Sequence, residues 1–138
     1  MEGAGLILLD THTLIWMDQD SALLGTSARR LIEAAWREGL VAVSAISFWE
    51  SAMLLQRQRI SLPVSLETWR ADMIEAGIKE IALDGKIMLR STQLSGLHRD
   101  PADRFIVATA LQHSATLVTA DSKILNGDDE FPRQDARL

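Results

Sequence analysis

Four acids in this 138-residue chain stand where carboxylates could do chemistry: Asp10, Glu50, Asp103 and Asp121. Asp10 closes the short apolar run Leu6-Ile7-Leu8-Leu9, and the stretch Thr116-Leu117-Val118-Thr119 leads to Asp121. Glu50 shares a helical face with Met53 and Leu54, and Asp103 shares one with Ile106, Val107, Ala110 and Leu111. A carboxylate on a face that must be buried is costly unless something pairs with it. Each acid also has an ordinary explanation. Asp10 and Asp121 can cap helices, Ser47-Phe48-Trp49-Glu50 has the capping-box spacing, and Asp103 suits the positive end of a helix dipole. The combination asks for more, because four carboxylates in one crevice repel one another and protonate in part unless a cation neutralises them. All-oxygen ligands without a single cysteine select a hard cation, Mg²⁺ or Mn²⁺. Such a cation, alone or as one of a pair, lowers the pKa of a water and stabilises charge on a phosphate, so the chemistry indicated is phosphoryl chemistry.

The elements between the acids decide whether they meet. Leu6 to Leu9 reads as a strand buried on both faces, with Leu14 to Met17 a short helix and a longer one capped by Thr26 or Ser27 and closed by Gly39. Val41 to Val43 is the second strand and Ser44 to Arg59 the next helix. Leu66 to Ala76 is helical and Gly77 stops it; Lys79 to Leu83 is a weak strand, and Gly85 to Gln93 is helical. Asp100 caps a helix with Pro101 at its first position, running through Ala110. Thr116 to Thr119 is a fourth strand, and Ser122 to Leu125 a helical turn. Residues 126–138 form a polar tail, partly ordered, with only a doubtful last strand. Strands alternating with helices predict right-handed crossovers and a three-layer α/β/α sandwich with a mainly parallel central sheet, in one domain spanning residues 1–138. In such sheets ligands bind at the carboxyl ends of the strands, where strand order reverses, and that is where all four acids fall.

Composition narrows the partners. A net charge of −5 is not that of a protein that coats nucleic acid by charge alone, so a nucleic-acid substrate would need a local basic rim. Arg99, Arg104 and Lys123 flank the acids and are the candidates for holding phosphates. No cysteine means no disulfide framework and no thiolate zinc site, and no apolar run is long enough for a membrane span, so the expected location is the cytoplasm. Gly-x-x-x-x-Gly-Lys, Gly-x-Gly-x-x-Gly and Gly-x-Ser-x-Gly are all absent.

Four stretches carry a recognisable pattern: Leu8 to Trp16, Ser44 to Glu50, His98 to Ala110 and Leu117 to Asp121. In this order and spacing the chain resembles the PIN-domain ribonucleases, and most closely the VapC toxins of bacterial toxin-antitoxin pairs. The resemblance covers residues 6–125. It implies an endoribonuclease using Mg²⁺ or Mn²⁺, a homodimer, and a cognate antitoxin whose segment lies across the active-site groove. By position, Asp10, Glu50 and Asp103 match the family's core metal-binding acids and Asp121 the fourth. Thr11 or Thr13 would orient Asp10 or a metal water. Ala102 stands where similar sequences often carry an aromatic, which would open the groove edge.

The remaining candidates are read more plainly. Asp100 is sufficiently explained as an N-cap, His12 and His98 as neighbours without a catalytic role, and Trp16 and Trp49 as core residues, with a second reading of the two tryptophans as groove walls that stack a base or receive an antitoxin side chain. Arg57 and Arg59 could meet an acidic or C-terminal antitoxin segment. Two rivals differ in class. A phosphatase of the same layered architecture needs a second Asp two residues after the first, where this chain has His12. A receiver-like or scaffold domain would bind Mg²⁺ in the same acidic pocket and leave RNA intact.

Overall fold

The computed structural model describes residues 5–94, 100–127 and 129–138. Ile7–Leu9 form β1, followed by helices α1 (Thr11–Asp18) and α2 (Thr26–Arg37). Then come β2 (Val41–Ser44), α3 (Ile46–Gln56), α4 (Leu66–Glu75), β3 (Lys79–Ile81) and α5 (Gly85–Ser91). The second half holds α6 (Pro101–Gln112), β4 (Thr116–Thr119), α7 (Ser122–Leu125) and β5 (Arg133–Asp135).

All pairings in the five-stranded sheet are parallel, in the order β3-β2-β1-β4-β5. Leu8 at the centre pairs with Ala42 on one side and Leu117 on the other. Successive side chains of a strand face opposite ways, and here both faces are covered. Ile7, Leu9, Val41, Val43 and Val118 join Leu14, Ile32, Trp69 and Met73 in one core, beneath α1, α2 and α4. Leu8, Ala42 and Leu117 join Ile106, Val107, Ala110 and Ile124 in the other, beneath α6 and α7. This is the expected three-layer sandwich. The chain runs outward from β1 through β2 to β3, then returns to the other side for β4 and β5. Strand order therefore reverses between β1 and β4, and the crevice outside their carboxyl ends is where the fold leaves room for a ligand. Among the described residues no helix is long and apolar enough to cross a membrane.

Three local expectations are corrected. The cap of α2 is Gly25, not Thr26 or Ser27, and it makes no side-chain cap bond. Backbone carbonyls from the far end of the chain take over that work: Gly25 N donates to Ala136 O at 2.8 Å and Ser27 N to Leu138 O at 2.6 Å. A Cβ at residue 25 would stand 2.2 Å from the Leu138 carbonyl carbon, so this close approach requires glycine. Second, α3 starts at Ile46 after an Ala45 cap with no side-chain bond, so Ser47 and Glu50 form no capping box. Third, the polar tail forms β5, in register with β4 from Leu117–Arg133 to Thr119–Asp135, and Ala136 behind it is fully buried.

Candidate metal centre and its groove

Asp10 follows β1 and caps α1, its side chain accepting from Thr13 N at 2.9 Å. Its second oxygen accepts from the Thr119 hydroxyl at the end of β4. The same hydroxyl oxygen accepts from Asp121 N at 3.1 Å, so one threonine ties the acids after two neighbouring strands together. Asp121 in turn caps α7, accepting from Lys123 N at 2.8 Å and Ile124 N at 3.3 Å. The side chains expected from the sequence at the site, Asp10 and Asp121, are therefore also helix caps.

Glu50 reaches the crevice from the second turn of α3 and accepts a hydrogen bond from the Thr11 hydroxyl, which also lies 3.0 Å from Ser47 Oγ. Asp103, in the first turn of α6, shares a hydrogen bond with Asp121. Asp10, Glu50, Asp103 and Asp121 all line one cleft of about 280 Å³, together with Asp100. Carboxylate oxygens of Glu50, Asp100 and Asp103 lie within 4.8 Å of one another. Asp100 is thus both the cap of α6, accepting from Ala102 N at 3.0 Å, and a member of the cluster, a second role that its place in the chain did not reveal.

Crowding leaves its mark on protonation. Burial pushes the Asp10 carboxyl up, against the hydrogen bonds from Thr119 and Thr13. Burial also raises Glu50, opposed by the Thr11 hydrogen bond and reinforced by the charges of Asp100 and Asp10. Asp103 is raised to about 8, first by burial and then by the charges of Asp100, Asp121 and Glu50. Three acids held above their ordinary range in one cleft form an electrostatically unfavourable set until protons or a cation enter. Oxygen-only donors close enough to share an ion fit a hard divalent cation.

The other expected site residues are placed as follows. Thr13 is fully buried, its amide on Asp10 and its hydroxyl on Val118 O at 3.0 Å, so it positions Asp10 and cannot touch a substrate. Thr11 is buried too, and its hydroxyl serves Glu50. Arg104 does not line the cleft. Its guanidinium donates to Ser91 O at 3.2 Å and Leu94 O at 3.0 Å, fastening the end of α5 to α6. Lys123 is exposed on α7 and also absent from the lining. His98 and Arg99 lie outside the described residues.

Beside the cleft runs a groove of about 630 Å³ between α3 and the start of α6. His12, Glu50 and Asp100 line both, so the two spaces are continuous. Trp49 lines the groove and is 58% exposed, so it is not a core residue but takes the alternative place, on a groove wall: it faces outward from α3 while Ser47 and Ser51 face in. Trp16 is half-buried, lines the cleft, and meets the His12 ring edge-on at 6.4 Å. Sequence reasoning missed Thr119, Asp100's second role, and Arg137, which also lines the cleft. Thr119 was within reach, since it ends a strand two residues before Asp121; Arg137 had no local signal.

The family model of the PIN domain matches residues 7–129. The chain belongs to the PIN-domain family. It is 33% identical over 119 residues to Ribonuclease VapC22 of Mycobacterium tuberculosis, covering 86% of this chain and 88% of that one. Among solved structures, this PIN domain resembles VapBC2 of Rickettsia felis bound to a promoter DNA fragment, with a TM-score of 0.68 at 17% identity over 94% of this chain and 99% of the other. It also resembles a toxin-antitoxin complex of Klebsiella pneumoniae, with a TM-score of 0.57 at 24% identity over 88% and 92%. These structural likenesses concern the fold, and the PIN sheet described above is that fold.

Proposed function

We propose that this PIN domain is a metal-dependent endoribonuclease acting in the cytoplasm as the toxin of a toxin-antitoxin pair. One observation carries the reading: five carboxylates, those of Asp10, Glu50, Asp100, Asp103 and Asp121, line a single cleft at the strand-order switch point. The matched relative is named a ribonuclease, which agrees with that chemistry. A divalent cation, Mg²⁺ or Mn²⁺, would be held by Asp10, Glu50, Asp103 and Asp121 with Asp100 beside them, and when bound it supplies a more acidic water and charge stabilisation at the scissile phosphodiester.

The chain's own residues do the rest. Thr119 and the Thr13 amide fix the Asp10 carboxylate, and Thr11 fixes Glu50, so that two donors are oriented before any ligand arrives. Raised proton affinities at Asp10, Glu50 and Asp103 lower the charge the cleft carries without a cation. The adjoining groove, with Trp49 and Phe105 on its walls and Arg57 among its lining residues, suits the antitoxin segment, which would lie across the mouth of the cleft. Two copies of the chain would form the active dimer.

The test is cleavage of a mixed RNA pool by antitoxin-free protein in Mg²⁺ or Mn²⁺ against EDTA, with Asp10→Asn beside it. Cleavage that requires both the cation and Asp10 supports the nuclease. Cation binding by calorimetry with RNA left intact would overturn it in favour of a non-catalytic Mg²⁺-binding scaffold.

A further inference from the structure

The tail of the chain brings a cation to the acidic cleft. Arg137 lines it with Asp10, Asp103 and Asp121, and no other Arg or Lys among the described residues does so. Its position is built, not incidental. The Arg137 amide donates to Asp135 Oδ1 at 2.9 Å, the guanidinium donates to Ala120 O at 2.8 Å, and its central carbon lies 5.8 Å from the Trp16 ring centroid. Behind it, the pairing of β5 with β4 and the tuck against Gly25 hold the segment in place. A guanidinium carries five N–H donors in a planar fork that matches phosphate oxygens. Among the described residues Arg137 donates one side-chain hydrogen bond and forms no ion pair, although it is exposed beside five carboxylates.

We propose that Arg137 is a substrate-binding residue that holds a phosphate of the RNA strand next to the acid cluster. This rests on the reading of the cleft as an RNA-cleaving site. A polyanion entering a cleft of carboxylates is repelled, and a bound divalent cation offsets only part of that charge. Arg104, the cation expected from the sequence to do this work, holds α5 instead. Trp16 and Ala120 O back the Arg137 fork, which limits the side-chain freedom lost when phosphate binds.

The experiment compares wild type, Arg137→Ala and Arg137→Lys in cleavage of one RNA oligonucleotide across a salt series, with Mn²⁺ affinity measured by calorimetry. Loss of a charge-assisted hydrogen bond to phosphate predicts KM raised about tenfold or more in the alanine variant. The slope of log affinity against log salt should fall by about 0.7, the value for one phosphate contact on a single strand. Mn²⁺ affinity should be undiminished, and lysine should restore the slope but not the full KM. An active wild type with an alanine variant unchanged in KM and slope overturns the proposal alone. A KM effect accompanied by lost Mn²⁺ affinity also overturns it, as the mark of a structural role. A wild type that neither binds nor cleaves RNA overturns the functional reading and the proposal together.

Discussion

Two regions of this molecule treat carboxylates in opposite ways. On the surface, Glu80 of β3 accepts from the Arg70 guanidinium of α4 through two hydrogen bonds, at 2.7 and 2.6 Å, and the arginine holds its carboxyl below the ordinary range. At the carboxyl ends of β1 and β4, burial and neighbouring acids push Asp10, Glu50 and Asp103 up. The first arrangement serves the folded state. The second works against it, since buried like charges are unfavourable unless a ligand of opposite charge arrives. The protein thus pairs an acid at one place and crowds five at another, where a bound cation would relieve the repulsion.

The largest effect on that contrast is expected from Asp103→Asn. RNA cleavage should fall by more than the roughly 10–100-fold that accompanies loss of an outer partner of a metal ligand. The metal-free variant should nevertheless melt higher than wild type at pH 8, because one crowded charge is gone. The sign follows from linkage. With Asp103 raised from 3.8 to about 8, the native state between those values holds a proton that the unfolded chain has released. The stability this group contributes is thus fully present below about pH 4 and is lost as pH rises towards 8. Metal-free wild type should show a melting temperature that falls from pH 5 to pH 8, and in Asp103→Asn the fall should be shallower. Parallel pH profiles for the two proteins would remove Asp103 from the crowded set.

A smaller effect isolates the scaffold of the site from its ligands. Thr119→Val keeps the shape of a buried side chain and removes the hydroxyl that donates to Asp10 and accepts from Asp121 N. Metal affinity and cleavage should drop together by roughly 10–100-fold, the usual consequence of losing an outer partner. Unchanged Mn²⁺ affinity by calorimetry would mean that Asp10 is oriented by the Thr13 amide alone.

What could be seen in the chain beforehand divides along a physical line. Asp10 at the end of an apolar run, Asp103 on the buried stripe of its helix and Pro101 behind an Asp cap are local patterns, carried by periods of two and 3.6 residues and by capping chemistry. Each survives intact in the structure. Thr119 bonds a residue 109 positions away, and Arg137 enters the cleft only because β5 forms and Gly25 leaves a notch for it. The strand-end position of Thr119 is a local pattern, but the distant partner of its hydroxyl and the entry of Arg137 have no local signature. Arg104 shows the converse: a cation next to an acid in sequence points to two carbonyls, at the last residue of α5 and three residues beyond it. At Asp100 one sufficient local role, the cap, conceals its place in the acid cluster.

The smallest effect belongs to the paired acid, and its smallness sharpens the comparison. Arg70→Ala removes the guanidinium from Glu80 and from above the Phe48 ring, 5.8 Å from its centroid. Glu80 is only about a quarter exposed, with a side-chain value of 23%, but Arg70 is at 46%, so solvent screens the pair and its loss should barely move the melting temperature at pH 7. What loss there is should be absent at low pH. The arginine depresses the Glu80 carboxyl below 4.5, so the stability it contributes is present above that value and disappears as pH falls through the lowered one. Cleavage and Mn²⁺ affinity should be those of wild type, because Arg70 and Glu80 are absent from the linings of the cleft and the groove. A fall in cleavage on this substitution would mean that the two regions are coupled through α4 and α3, and the separation between an acid kept for the fold and acids kept for a ligand would no longer hold.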